Sequence, residues 1–137
     1  MVYVDCDPRL ERDSLEIGFV DGISVRLMND ARFLWVILVP LTDHYREWHD
    51  LEEPVSLNLH KLARFLSRNL QSSTQASKVN IASLGNQVPQ LHLHIVMRHE
   101  DDAAWPGPVW GSGKTIPMDT ACQTQRASLI NALISQY

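Results

Sequence analysis

The chain has 137 residues, a formal charge of −4, 45% apolar and 20% charged residues, proportions that fit one domain (residues 1–137) with a proper core. Mild acidity and scattered basic residues leave no electrostatic footprint for a nucleic-acid backbone, while a small phosphate-bearing ligand stays compatible with it. Two distant cysteines, Cys6 and Cys122, form neither a disulfide framework nor a zinc-spacing pattern.

The first segment, "MVYVDCDPRLERD", is acidic and has no positive region followed by an apolar core, so no secretory signal is expected. "SVRLMND" (Ser24 to Asp30) alternates loosely and ends in turn formers. "RFLWVILVP" (Arg32 to Pro40) is a continuous apolar run closed by proline, which predicts a central strand. With "NDA" between them the two runs form a hairpin. The longest apolar run, Phe33 to Leu41, is too short to span a bilayer, so no membrane association is expected and the location is cytoplasmic.

The period then changes. Val55, Leu59, Leu62, Phe65, Leu66 and Leu70 recur at helical spacing, with Glu52, Glu53 and Pro54 as an N-terminus; a helix of about five turns follows. His60 falls on its surface. Two further strands are expected over Lys78 to Ser83 and Pro89 to Arg98, joined through "LGN". "WPGPVWGSG" is too rich in proline and glycine for a regular element. The tail predicts an amphipathic helix with Ala121, Ala127 or Ser128, Ile130 or Asn131, and Ile134 on its apolar face. Hairpins plus helices without a βαβ rhythm give an α+β fold with an antiparallel sheet, one long helix after the second hairpin strand and a helix at the C-terminus.

"QLHLHIVMR" (Gln90 to Arg98) carries the chemistry. Alternation sends Leu91, Leu93 and Ile95 into the core and Gln90, His92, His94, Val96 and Arg98 onto an open face. Three readings compete at this point. The histidines are ordinary exposed strand residues; or they supply two ligands to a metal, although zinc needs a third and no partner has matching spacing; or one is a nucleophile toward phosphorus. Such a nucleophile needs an acceptor for its second nitrogen and donors for the phosphoryl oxygens. Asn80 and Asn86 flank the turn leading into this strand and are candidate phosphate donors, against their plainer role as turn residues.

These residues resemble the histidine-triad (HIT) superfamily of nucleotide hydrolases and transferases, whose signature alternates histidine with apolar residues. Here Gln90 stands for the first histidine and Met97 for the usual proline. "KVNIASLGNQVPQLHLHIVMRHEDDAAWPGPVWG" is especially similar to a bacterial subgroup in which "LGN", "VPQLHLH" and "WPGPVWG" recur. The resemblance implies that His92 is the nucleophile on an α-phosphate and that His94 contacts the phosphate and leaving group. It implies substrate-binding roles for Asn29 (ribose), Asn80, Asn86 and Gln90, with Phe33 and Leu27 in the base pocket. It implies a nucleotide or nucleoside phosphate as partner, no metal or other cofactor, and a homodimer. A family histidine is replaced by Trp35. Gln90 and Trp35 together frame the alternative, a nucleotide-binding protein with little or no turnover. Trp105 and Trp110 are expected to pack a C-terminal loop over the sheet, against the alternative of a lid or a surface on which a base or substrate stacks. Arg98 matches the motif's trailing arginine without a role.

Overall fold

A computed structural model describes residues 2–137. In chain order the elements are helix α1 (Pro8–Asp13), strands β1 (Ser14–Val20), β2 (Ile23–Met28) and β3 (Trp35–Pro40), helix α2 (Glu53–Thr74), strands β4 (Lys78–Ala82) and β5 (Leu93–Arg98), and helix α3 (Thr120–Ile134). The strands form one five-stranded antiparallel sheet in the order β1-β2-β3-β5-β4. The α+β architecture expected from the sequence is therefore present.

Asp21 and Gly22 join β1 to β2. Both have positive φ, 51° and 78°, the geometry of the tight turn whose twist matches a hairpin. Glycine reaches that region without penalty. The hairpin of β2 and β3 is as expected, with Ile23 opposite Pro40 and Leu27 opposite Val36. Strand β1 and helix α1 extend the expected set. Asp7 caps α1 through a hydrogen bond from the Arg9 N–H at 2.8 Å, and Pro8 opens its first turn.

Both faces of the sheet are covered. Leu59, Leu62, Leu66 and Leu70 of α2 pack against Val25, Leu27, Val36, Leu38, Leu93, Ile95 and Met97. Each of these leucines is fully buried and contributes about 2 kcal/mol of burial free energy. The helix runs for 22 residues, longer than its apolar stripe predicts, and His60 lies exposed on it. Helix α3 bears out part of its expected apolar face, Ile130 and Ile134, and corrects the rest. Ala121, Ser128 and Asn131 are exposed, and the packed residues are Cys122, Leu129, Ile130, Leu133 and Ile134. The opposite face of the sheet carries a second core: Trp35, Ile37, Val39 and Val96 under Cys6 and Leu10 of the N-terminal arm and Val109 of the loop after β5. No described helix is long and apolar enough to cross a membrane.

Candidate active site

His92 stands just before β5 and His94 within it, on the face opposite α2. The open face expected from alternation is in fact closed. His92 and His94 are only 6% and 5% exposed, because the N-terminal arm and the loop after β5 lie over them. Their rings are 4.8 Å apart between centroids and meet edge to face.

The two imidazoles are held in opposite tautomers. His92 Nδ1 lies 2.7 Å from the backbone oxygen of Gln90. A carbonyl only accepts, so Nδ1 carries the proton and Nε2 keeps its lone pair. Trp35 Nε1 donates to His94 Nδ1 at 3.0 Å. An indole only donates, so the neutral His94 ring carries its proton on Nε2. Burial, with the nearby His92 adding to it, pushes His94 down to about 3. His94 is thus a neutral N–H donor at physiological pH. Trp35 is diagonal to it across the sheet, Trp35 opposing Val96 and His94 opposing Ile37, which puts both rings on one face.

A cavity of about 360 Å3 opens beside these rings. Among its walls are Asp30, Arg32, Asn86, His92, His94 and Trp110. Its volume lies in the range of small-ligand pockets. A larger hollow of about 660 Å3, framed by Tyr3, Phe19 and Asn58, has no histidine or cysteine in its walls. Trp110 packs on His94 at 5.3 Å and on Trp35 at 6.0 Å, so the loop after β5 forms one wall of the histidine cavity.

The remaining expected site residues separate. Asn86 lines the cavity, on a turn where Gly85 takes a φ of 72°. Asn29 does not line it; its side-chain oxygen accepts from the Met118 N–H at 2.9 Å and ties the chain ahead of α3. Asn80 faces the same side of the sheet as Arg98 and accepts from its guanidinium at 2.8 Å. Gln90 turns away from the cavity. Its oxygen accepts from the Asp7 N–H at 2.7 Å and its amide donates to the Asp5 carbonyl at 3.0 Å, so it sutures the N-terminal arm to the histidine segment. Leu27 is packed under α2, on the wrong face for a base pocket. Phe33 is buried beneath Arg32 and Arg98. Apolar walls come instead from Leu10, Met28, Val88 and Val109.

Arg98 has a structural task. Its guanidinium is 2% exposed and bonds Asp102 through two nitrogens (2.8 and 3.0 Å), Asn80, and the Gly107 carbonyl at 2.7 Å. Its head lies 5.7 Å from the centre of the Trp105 ring. Burial would raise the Asp102 carboxyl, but the bonds from Arg98 and the backbone N–H groups of His99 and Ala104 outweigh it and bring it to about 2. The clamp fixes the loop that carries Trp110. Asp102, four positions after Arg98, is a residue the sequence reading missed. So is Arg126 of α3, which donates to the carbonyls of Asp30, Ala31 and Phe33 at 2.9 to 3.0 Å and fastens the loop between β2 and β3. Asp30, fully buried, pairs with Arg32 at 2.9 Å, and Arg32 also reaches the Ser112 carbonyl across the cavity mouth.

Comparison with known proteins places this arrangement. The family model of the HIT domain matches residues 9–101. The chain belongs to the HIT family. Three solved HIT structures are similar over nearly their whole lengths. The histidine triad protein of Bradyrhizobium japonicum is 36% identical, with a TM-score of 0.93 over 97% of this chain and 99% of that one. The Marinobacter aquaeolei VT8 protein is 36% identical, with a TM-score of 0.94 over 98% of each chain. The Sinorhizobium meliloti 1021 protein is 37% identical, with a TM-score of 0.90 over 98% of this chain and 97% of that one. No curated protein matches the sequence. HIT proteins are generally nucleotide-binding hydrolases and transferases. No group of three or more histidine, cysteine or acidic side chains is arranged to hold a metal among the described residues.

Proposed function

We propose that this HIT protein hydrolyses or transfers at the α-phosphate of a nucleoside phosphate derivative through a covalent nucleotidyl-His92 intermediate. The observation that carries the reading is the bond from His92 Nδ1–H to the Gln90 carbonyl, 2.7 Å long, which leaves Nε2 as a free lone pair. It depends on backbone, so the absence of a histidine side chain at position 90 does not remove it. Nε2 of His92 bonds to phosphorus and the bond to the leaving group breaks. The positive charge formed on the ring is stabilised through Nδ1–H by the Gln90 carbonyl. The Nε2–H of His94 and the side chain of Asn86 donate to the phosphoryl oxygens. Water then forms a new P–O bond, His92 recovers its lone pair, and one water proton passes to solvent while the other stays on the phosphate. The nucleoside lies along Leu10, Met28 and Val88 toward the Asp30–Arg32 pair.

The test is turnover of adenosine phosphoramidate and of dinucleoside polyphosphates, with His92→Ala as control. We expect the variant to lose about a thousandfold or more of kcat while its thermal midpoint with nucleotide shows that the fold and cavity persist. Equal rates for the two proteins would sink the hydrolase reading. Nucleotide protection against unfolding without turnover by the wild type would leave the binding protein as the answer, the case favoured by Trp35 in the place of a family histidine.

A further inference from the structure

The bond between Trp35 and His94 has a chemical consequence of its own. Tryptophan has one polar atom, and it donates. Its Nε1–H points at His94 Nδ1 at 3.0 Å, and Trp110 packs edge-on against both rings, 5.3 Å from His94 and 6.0 Å from Trp35. To become an acid, His94 must take a proton on Nδ1. That proton would face the indole N–H, donor against donor, in a site without room for water between them. The other titratable and charged groups around the ring are His92 beside it and Asp13, Asp30 and Arg32 in the cavity walls. None of them replaces Trp35 at Nδ1. Burial reinforces the same state, taking His94 down to about 3.

We propose that Trp35 is a positioning residue that locks His94 as a neutral Nε2–H donor, and that the site is thereby specialised for leaving groups that depart as anions, such as phosphates and polyphosphates, over amines. This rests on the reading of His92 as nucleophile and His94 as its partner. The balance of the first step gives the reason. When neutral His92 attacks a phosphoanhydride, the P–O bond breaks and its electron pair leaves on the phosphate, so no proton has to move. A hydrogen bond from His94 Nε2–H suffices. When the leaving group is an amine, the P–N bond breaks only as the nitrogen acquires a proton. Neutral His94 cannot supply it, because loss of its single N–H proton would leave an imidazolate. Trp35 cannot pass one on, since it has no acceptor. The proton must then come from bulk water into a buried site. A histidine at position 35 would differ on this point, being able both to donate and to accept.

Two measurements test the proposal, and they fail separately. In 15N spectra of the wild type, His94 should show an unprotonated Nδ1 and a protonated Nε2 from about pH 5 to about pH 8. In Trp35→Phe the Nδ1 signal should lose the signature of an accepted bond. A proton found on His94 Nδ1, or a His94 titration inside that range in the wild type, would overturn the lock without any appeal to activity. For catalysis, kcat/KM is compared for diadenosine triphosphate and adenosine phosphoramidate. The wild type should favour the anhydride by about a hundredfold, the scale of a missing general acid. Trp35→His should narrow that ratio about tenfold or more, chiefly through a faster amine reaction with a new acid limb in its pH profile. Equal use of both substrates by the wild type overturns the leaving-group preference. No turnover of either substrate overturns the hydrolase reading and the preference with it, while the tautomer result stands on its own.

Discussion

At the scale of single residues, the two histidines differ more than their spacing suggests. His94 has a folded-state pKa of about 3 against an ordinary 6.5. Between those values the unfolded chain binds a proton that the folded chain does not. This group therefore adds nothing to the pH dependence above about pH 6.5, and stability falls as pH drops from there toward 3, by about 1.4 kcal/mol per pH unit. Urea unfolding at about pH 6.5 and about pH 5 should show a loss on the order of 2 kcal/mol in the wild type that His94→Gln largely lacks. The same loss in both proteins would mean that His94 is not the buried neutral group. Residue identities were legible in part. His92, His94 and Asn86 come together as the motif suggests, because a strand's alternation and one short turn place them. Gln90, Asn29 and Asn80 are spent elsewhere, since their partners are not local. Gln90 bonds residues 83 and 85 positions away, and Asn29 bonds one 89 positions away. No local pattern encodes such pairings.

At the scale of elements, the loop after β5 is held by a buried ion pair as well as by the apolar packing of Val109 and Trp110. Asp102 is four residues from Arg98, both ends of the pair are nearly inaccessible, and the same guanidinium takes up a carbonyl and an asparagine. Removing the carboxylate leaves a buried cation without its counter-ion. Asp102→Ala should cost about 3 to 5 kcal/mol and weaken nucleotide binding through the displaced wall at Trp110. Chemical denaturation and nucleotide titration read the two effects; a loss under about 1 kcal/mol would refute the clamp. Legibility here followed periodicity. Helix α2 and the β2–β3 hairpin announce themselves through long apolar patterns. Helix α1 and β1 do not, with six residues in one and a broken alternation around Gly18 in the other, where the pairing register shifts. For α3 the sequence supplied the helix and half of its stripe, Ile130 and Ile134, while Cys122, Leu129 and Leu133 were missed because several small and apolar residues compete for the inward face and packing against β1 and α2 decides.

At the scale of the whole molecule, the sheet ends on an unpaired edge. Strand β4 bonds only to β5, and Ile81 upon it is 50% exposed, with Trp48 47% exposed at the same hollow beside α2. An apolar strand edge of this kind is normally covered or blunted by charge. The homodimer implied by family resemblance would cover it. Sedimentation should then give a dimer for the wild type and a monomer for Ile81→Lys; a monomeric wild type at micromolar concentration would refute this assignment. The fold class was legible from the order of elements, and the closed second face of the sheet only in part: the loop carrying Trp105 and Trp110 was expected over the sheet, whereas the N-terminal arm with Cys6 and Leu10 has no periodic pattern to announce it.

The order of strands also governs when the histidine site comes into being. Strands β1, β2 and β3 form a meander whose neighbours are adjacent in sequence, so their pairings close short loops. The bond from Trp35 to His94 instead spans 59 positions, with all of α2 between its ends. Loop-closure entropy makes such a contact late and slow relative to the hairpins. Until β5 inserts between β3 and β4, His94 has no indole beside it. A nascent chain released before residue 98 has emerged holds a complete meander and long helix, yet lacks the finished strand that brings the donor and acceptor together. The histidine pair is thus assembled after the meander, by a contact that the hairpins alone do not supply.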